Sequence, residues 1–236
     1  MTLVDAPAAG RVFHHPATVG LADVTPQGRA RLDAIARWLQ DAAWADVADA
    51  GVQDEGLWVV RRMALHVERA PRFGETLQIA TFCSGTGRLW AERRSTIRGA
   101  GGAHVEAVAL WVFLDHDGSR PRPLPPSFDA IYGEAAGGRR VKARLRHPAE
   151  PPADAPTSPW TFRFADLDMA AHVNNSVYWA VLEEELSGAE LPAGWRGEIE
   201  HRAPANLGPA GVAADGPLRW IVAGGEVLAS LHADSR

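Results

Sequence analysis

Arg163-Phe164-Ala165-Asp166-Leu167-Asp168-Met169-Ala170-Ala171-His172-Val173-Asn174-Asn175-Ser176-Val177-Tyr178-Trp179 is the stretch whose reading decides the fold. Just before it, Trp160, Phe162 and Phe164 alternate with Thr161 and Arg163, the period-2 pattern of a half-buried strand. Asp166 and Asp168 then interrupt the pattern as a loop. After it, Leu182-Glu183-Glu184-Glu185-Leu186 continues an apolar-and-acidic helical pattern. Asn174 or Asn175 can cap that helix, because a short side-chain amide satisfies orphan N–H groups at a helix start. The reading is strand, polar loop, helix.

The same stretch is the densest group of non-repeating polar residues in the chain. A helix N-terminus carries about half a positive charge and free N–H donors. Asp168 and His172 fall beside it. A carboxylate or imidazole, a water and an oxyanion-stabilising helix end are the parts that ester or thioester hydrolysis needs. The plainer reading of the same residues is a capping loop with a structural histidine.

Outward from this stretch, the pattern occurs twice. Val12, Phe13, Ala17 and Val19 suggest a first strand, interrupted by Pro16. Thr25-Pro26 reads as a helix start, with Thr as cap and Pro at the first helical position. Leu32, Ile35, Leu39, Ala43 and Val47 recur at helical spacing, and the helix ends before Gly51. Its alanines allow close approach to a sheet. Gln40-Asp41 could face a ligand, although a solvated polar face is the commoner meaning. Residues 57–67, 76–83, 88–97 and 104–114 read as strands. One helix followed by antiparallel strands is an α+β arrangement. Trp58, Trp90 and Trp111 read mostly as core, although a tunnel for an apolar ligand, an acyl chain under the resemblance given below, would be lined the same way. The second half repeats the plan with strands near 197–202, 217–222 and 226–233.

The chain has 236 residues, 46% of them hydrophobic, enough for one large domain or two small ones. A net charge of −5 argues against general nucleic-acid binding. The single cysteine, Cys83, cannot form an internal disulfide and reads as a buried, inert thiol. No signal-like leader opens the chain, and no apolar run is long enough to span a bilayer. The expected location is the cytoplasm. No His/Cys/Asp cluster has ligand spacing, so neither a metal nor an organic cofactor is expected.

Asp166-Leu-Asp168-x-x-x-His172-Val-Asn174-Asn175-x-x-Tyr178, followed by Leu182-Glu183-Glu184, resembles the signature of the acyl-acyl-carrier-protein thioesterase family. Trp38-Leu39-Gln40-Asp41-Ala42-Ala43 resembles the central helix of that family's first domain. Residues 87–94 and 109–115 resemble its later strands. The resemblance covers most of the chain. It implies two tandem hotdog domains, each an antiparallel sheet wrapped around a long helix. The expected divisions are 1–126 for acyl-chain binding, 127–159 as linker and 160–236 for the catalytic motif. Two positions depart from the plant members. Ala170 stands where they have Asn, and Ala203-Pro204-Ala205 stands where a Glu-Cys pair is expected.

The resemblance further implies hydrolysis of an acyl thioester on acyl carrier protein or CoA, releasing free fatty acid. Asp168 would be general base or nucleophile, and His172 would position the water or the carboxylate. Backbone N–H groups near Val173 and Asn174 would polarise the carbonyl, with Asn175 fixing the loop. Arg139, Arg140, Lys142 and Arg144, in a basic run with Arg146, suit either a solvated linker strand or a docking patch for an acidic carrier protein. Two alternatives stay open: a non-hydrolytic acyl-thioester binder, and an enoyl hydratase on the same fold. Tandem hotdogs mimic a two-fold dimer within one chain, and a homodimer of the whole chain is left open.

Overall fold

The computed structural model describes residues 3–234. Met1, Thr2, Ser235 and Arg236, the outermost residues of the two expected domains, lie outside it. The first half runs β1 (Phe13–Thr18), α1 (Leu32–Asp49), β2 (Leu57–Arg69), β3 (Thr76–Thr86), β4 (Trp90–Gly99) and β5 (His104–Leu114). Then comes α2 (Pro126–Ala136). The second half runs β6 (Thr157–Phe162), α3 (Trp179–Leu186), β7 (Trp195–His201), β8 (Gly208–Asp215), β9 (Leu218–Ala223) and β10 (Glu226–Ala233). The fold is α+β, of the hotdog type.

Among the described residues the strands form one ten-stranded sheet in the order β1-β3-β4-β5-β2-β7-β10-β9-β8-β6. Read from either end, the order passes through equivalent strands of the two halves. The pseudo-two-fold axis therefore runs through the seam where β2 pairs antiparallel with β7, from Arg62 opposite Glu200 to Val67 opposite Trp195. Met63, Leu65 and Ile199 of the seam join the core that holds α1 and α3. Arg62 and Glu200 alternate with them and face the back of the sheet.

α1 buries Leu32, Ile35, Trp38, Leu39 and Ala42, the helical spacing seen in the sequence. It begins at Leu32, not at Thr25-Pro26. Residues 24–30 close a bridged loop, in which Val24 pairs with Ala30 and Thr25 N–H donates to Arg29 O at 2.8 Å. Gly28 turns that loop at φ +80°, a conformation glycine takes without steric cost.

The expected linker, 127–159, overlaps a helix that the sequence reading missed. Pro126 opens α2, and Gly137 closes it in the left-handed region at φ +57°. Phe128, Tyr132 and Ala136 pack on Cys83 and Ala91, forming a second, smaller core on the back of the sheet. Cys83 is buried there, and burial pushes its thiol pKa up. An extended strap follows α2. Arg62 Nη1 donates to Arg144 O at 3.0 Å. Arg146 N–H and His147 N–H donate to the buried Glu200 carboxylate at 2.5 and 3.1 Å.

The halves also meet through one buried ion pair. Arg29, fully buried, places Nη2 2.5 Å from Glu183 Oε1 of α3. Glu183 Oε2 also accepts from Leu32 N–H at the start of α1, at 2.9 Å. Arg29→Met would leave Glu183 buried without its partner. The expected cost is about 3–5 kcal/mol, read by urea denaturation. Arg29→Met combined with Glu183→Leu should recover most of it. A single variant as stable as the parent would show that the pair does not hold the halves together.

Candidate active site

Two loops on the helix side of the sheet have the same backbone construction. Residues 20, 23, 24, 25, 28, 29, 30 and 31 correspond to 163, 166, 167, 168, 171, 172, 173 and 174. Gly20 N–H donates to Asp23 Oδ2 at 2.8 Å, and Arg163 N–H to Asp166 Oδ2 at 2.7 Å. Thr25 N–H donates to Arg29 O, as Asp168 N–H does to His172 O at 2.9 Å. Arg31 N–H donates to Asp23 O, as Asn174 N–H does to Asp166 O. Leu167 bridges Val173 as Val24 bridges Ala30. Asp23 and Asp166 are both buried. Each is the anchor that its loop is hung on.

The side chains on the two frames differ. Asp168 stands at the position of Thr25, and His172 at that of Arg29. Asp168 is half-buried. Its Oδ1 accepts from Ala170 N–H at 2.9 Å, and its Oδ2 lies 3.5 Å from Asn174 Nδ2. His172 is exposed, as are Met169 and Ala170. Ala171, at the position of Gly28, takes φ +59°. That conformation costs a side-chain-bearing residue roughly 1 kcal/mol or more, strain of the kind that gathers at functional loops.

The two amides expected to polarise a carbonyl are already engaged. Val173 N–H donates to Ala205 O, and Asn174 N–H to Asp166 O, each at 2.9 Å. Asn174 Oδ1 caps the following turn, accepting from Ser176 N–H at 2.9 Å and Ser176 Oγ–H at 2.7 Å. α3 itself begins only at Trp179. Asn175 faces inward instead. It lines a cavity of about 10 Å³ with Gln40, Trp111, Ser176, Trp179 and His201, at the junction of the two halves. The sequence reading took Trp111 mostly as core, with an acyl-chain tunnel as the other meaning, and placed no function on His201. Nothing in their spacing separates them from core residues.

Beneath the loop, Tyr178 OH accepts from Ala205 N–H at 3.1 Å. Burial pushes the Tyr178 phenol up to about 12, with the nearby Asp168 charge acting in the same direction. The ring meets His201 edge-on at 4.8 Å between centroids. Burial lowers the His201 imidazole pKa to about 4, helped by the Arg61 guanidinium. A second, larger groove of about 720 Å³ lies between α3 and the edge strand β6, over Trp160, Val177, Val181 and Val212. Neither Asp168 nor His172 lines it.

The basic run lies on the strap at the back of the sheet. Arg140, Lys142 and Arg144 are exposed at alternate positions. Arg139 differs from them: it pairs with Glu92 and donates to Ser84 O at 2.8 Å. Nearby, His147, Glu198 and Glu200 bring ligand atoms within 4.8 Å of one another. Glu200 already accepts two backbone N–H groups there, and Arg202 Nη2 lies 3.5 Å from it. The donor set suits a clasp for the strap better than a cation.

Both halves match known sequence families. Residues 10–132 match the acyl-ACP thioesterase N-terminal domain, and residues 149–192 match the acyl-ACP thioesterase C-terminal domain. The chain belongs to the acyl-ACP thioesterase family. It is 26% identical to an uncharacterized protein of Mycobacterium tuberculosis over 210 residues, 88% of this chain and 84% of that protein. It is also 26% identical to the chloroplastic oleoyl-acyl carrier protein thioesterase 2 of Arabidopsis thaliana, over 63% of this chain and 47% of the plant protein. The chain thus spans about half the length of that plant relative. Among solved structures, an acyl-ACP thioesterase from Bacteroides thetaiotaomicron superposes with TM-score 0.77 at 18% identity, covering 94% of this chain and 96% of that one. The 12:0-ACP thioesterase from Umbellularia californica gives TM-score 0.73 at 19% identity, covering 95% and 97%. These likenesses establish the hotdog fold. Among the described residues, no helix is long and apolar enough to cross a membrane.

His201 sets a pH dependence. Its folded pKa, about 4, lies below the ordinary 6.5, so the folded state keeps it neutral while the unfolded chain takes up a proton. The stability it contributes is complete above pH 6.5 and is lost as pH falls toward 4. His201→Gln should flatten urea-denaturation stability over that window by up to ~3 kcal/mol. His147, also lowered chiefly by burial, would keep its own share of the slope. An unchanged slope in the variant would show that His201 is not kept neutral in the fold.

Proposed function

We propose that the chain hydrolyses acyl thioesters, with acyl-acyl-carrier-protein as substrate and free fatty acid as product. The observation that carries this reading is the pair of family matches, one to each half of the chain. In the proposal the first half, 1–126, receives the acyl chain. The second, 160–236, supplies the reacting groups, and 127–159 joins them.

Asp168 acts as general base. A carboxylate half-open to solvent can take a proton from water as that water attacks the thioester carbon. Collapse of the tetrahedral intermediate breaks the C–S bond, and the thiolate leaves with a proton. Nucleophilic attack by Asp168 itself, through an acyl anhydride, would give the same products. His172, exposed at the loop tip, is assigned to positioning at the mouth of the site. Two replacements relative to the plant pattern favour testing a second reading. Ala170 and Ala203-Pro204-Ala205 carry no polar side chain, which would suit a protein that binds acyl thioesters without cleaving them.

Thiol release over a panel of acyl-carrier-protein and CoA thioesters separates these readings. Asp168→Ala should lower kcat on the order of a hundredfold, with an unchanged melting temperature. Undiminished release would remove Asp168 as the catalyst. Tight binding by the parent protein with no released thiol would favour the second reading.

Carrier docking is proposed for the exposed row Arg140, Lys142 and Arg144. Its field would steer an acidic carrier over roughly 8–10 Å at moderate salt. Arg140→Glu with Arg144→Glu should raise KM for carrier-protein thioesters several-fold and leave KM for CoA thioesters within about twofold. Equal effects on both substrates, or none, would discard the row as the docking surface.

A further inference from the structure

The Arg29–Glu183 pair shows what this fold places across its pseudo-two-fold axis. Arg29 on the first loop reaches Glu183 on α3, and Leu32 N–H donates to the same carboxylate. Carrying the loop correspondence forward, Asn175 takes the position of Leu32, and Gln40 on α1 takes that of Glu183. The second arrangement is therefore Asn175 facing Gln40, while His172, at the position of Arg29, stays exposed at the loop tip. The shared cavity of Gln40 and Asn175 agrees with that correspondence.

In the first arrangement a carboxylate oxygen occupies the space in front of the helix start. The Asn175 backbone N–H donates to no protein acceptor among the described residues. The Gln40 amide likewise makes no hydrogen bond there. Trp111 Nε1, an N–H that can only donate, is buried in the wall of the same cavity without a partner. A buried unpaired donor costs about 1–3 kcal/mol, so its retention calls for an acceptor. His201, kept neutral by burial, brings no competing charge. At about 10 Å³ the cavity has room for roughly one oxygen atom.

We propose that this cavity receives the carbonyl oxygen of the acyl thioester. The Gln40 side-chain amide, the Asn175 N–H and Trp111 Nε1–H are its donors. The inference rests on the hydrolytic reading for its substrate class. It replaces the engaged amides of Val173 and Asn174 with donors contributed by both halves. Donors aimed at a developing oxyanion strengthen in the transition state and act mainly on kcat. On this assignment the Arg29–Glu183 pair is the closed counterpart of the site, with its oxygen supplied by the protein itself.

The test uses the full chain with Gln40→Met and Trp111→Phe, which keep bulk and remove the N–H. Each should lower kcat by about ten- to a hundredfold with KM within about threefold. A second measurement does not depend on turnover. An acyl-pantetheine analogue with a ketone in place of the thioester should bind the parent about tenfold tighter than the matching analogue lacking the carbonyl. Both variants should lose that preference. Preference present in the parent but no thiol release would overturn the hydrolytic reading and leave this inference standing. No preference in the parent, or a preference that survives in both variants, would overturn the inference. So would a rise in KM at constant kcat, which marks a residue that only lines the path of the acyl chain.

Discussion

The antiparallel pairing of β2 with β7 is the interaction on which the rest depends. Each half alone would end in an open strand edge at that point, a row of unpaired N–H and C=O groups. Pairing the two edges satisfies both and fuses two five-stranded sheets into one. It also fixes the geometry of everything above it. Because the seam coincides with the pseudo-two-fold axis, α1 and α3 pack side by side on the same face. The start of each helix then lies against the other helix. A residue from one half can complete a loop from the other only because of this register.

The two loop frames show how one backbone can serve opposite ends. Both hang from a buried aspartate, Asp23 or Asp166, and both close with the same bridge. In the first, Thr25, Gly28 and Arg29 make a relaxed loop whose cation is buried and neutralised by Glu183. In the second, Asp168, Ala171 and His172 make a loop with a carboxylate at half exposure, a non-glycine residue at positive φ and an imidazole in solvent. The first arrangement ties the halves together. The second accepts local strain and leaves donors without acceptors. A single chain with two such frames can hold one for stability and release the other for chemistry, which identical subunits in a symmetric dimer cannot do.

How much of this the sequence disclosed depends on the range of the interactions involved. α1 was legible because its buried residues repeat at helical spacing, and β2 to β5 because their apolar residues alternate between turns. The start of α1 was misread. Thr25-Pro26 has the local chemistry of a cap, but the Val24–Ala30 bridge and the bond from Ala30 N–H to Pro71 O override it from outside the segment. β8, Gly208–Asp215, escaped notice because glycine, proline and alanine carry no periodic signal. Only its pairing with β6 and β9 makes it a strand. α2 was hidden in a Pro- and Gly-rich connector, although Pro126 and Gly137 mark its ends. Asp168, His172 and the two asparagines were legible as a polar cluster. That Gln40, Trp111 and His201 join them was not legible, although Gln40 read as able to face a ligand and Trp111 as core or tunnel wall, since only the seam brings them to the cluster.

The replacements at Ala170 and Ala203-Pro204-Ala205 bear on what such a site must do. Removing polar side chains from a catalytic group lowers the number of residues that can share proton transfer. It does not remove the need to stabilise charge on the carbonyl oxygen. Ala205 still serves the loop through its backbone, accepting from Val173 N–H and donating to Tyr178 OH. What that position supplies here is therefore the main chain, which holds the loop against the end of β7. On the proposed assignment, with one carboxylate as base, the oxyanion donors would carry a larger part of the barrier reduction, and one lost donor typically costs about 3 kcal/mol. Donors held on three separate elements, α1, β5 and the loop before α3, cannot be displaced together by loop motion alone. A site reduced in side-chain chemistry can in this way keep its rate through the rigidity of the seam beneath it.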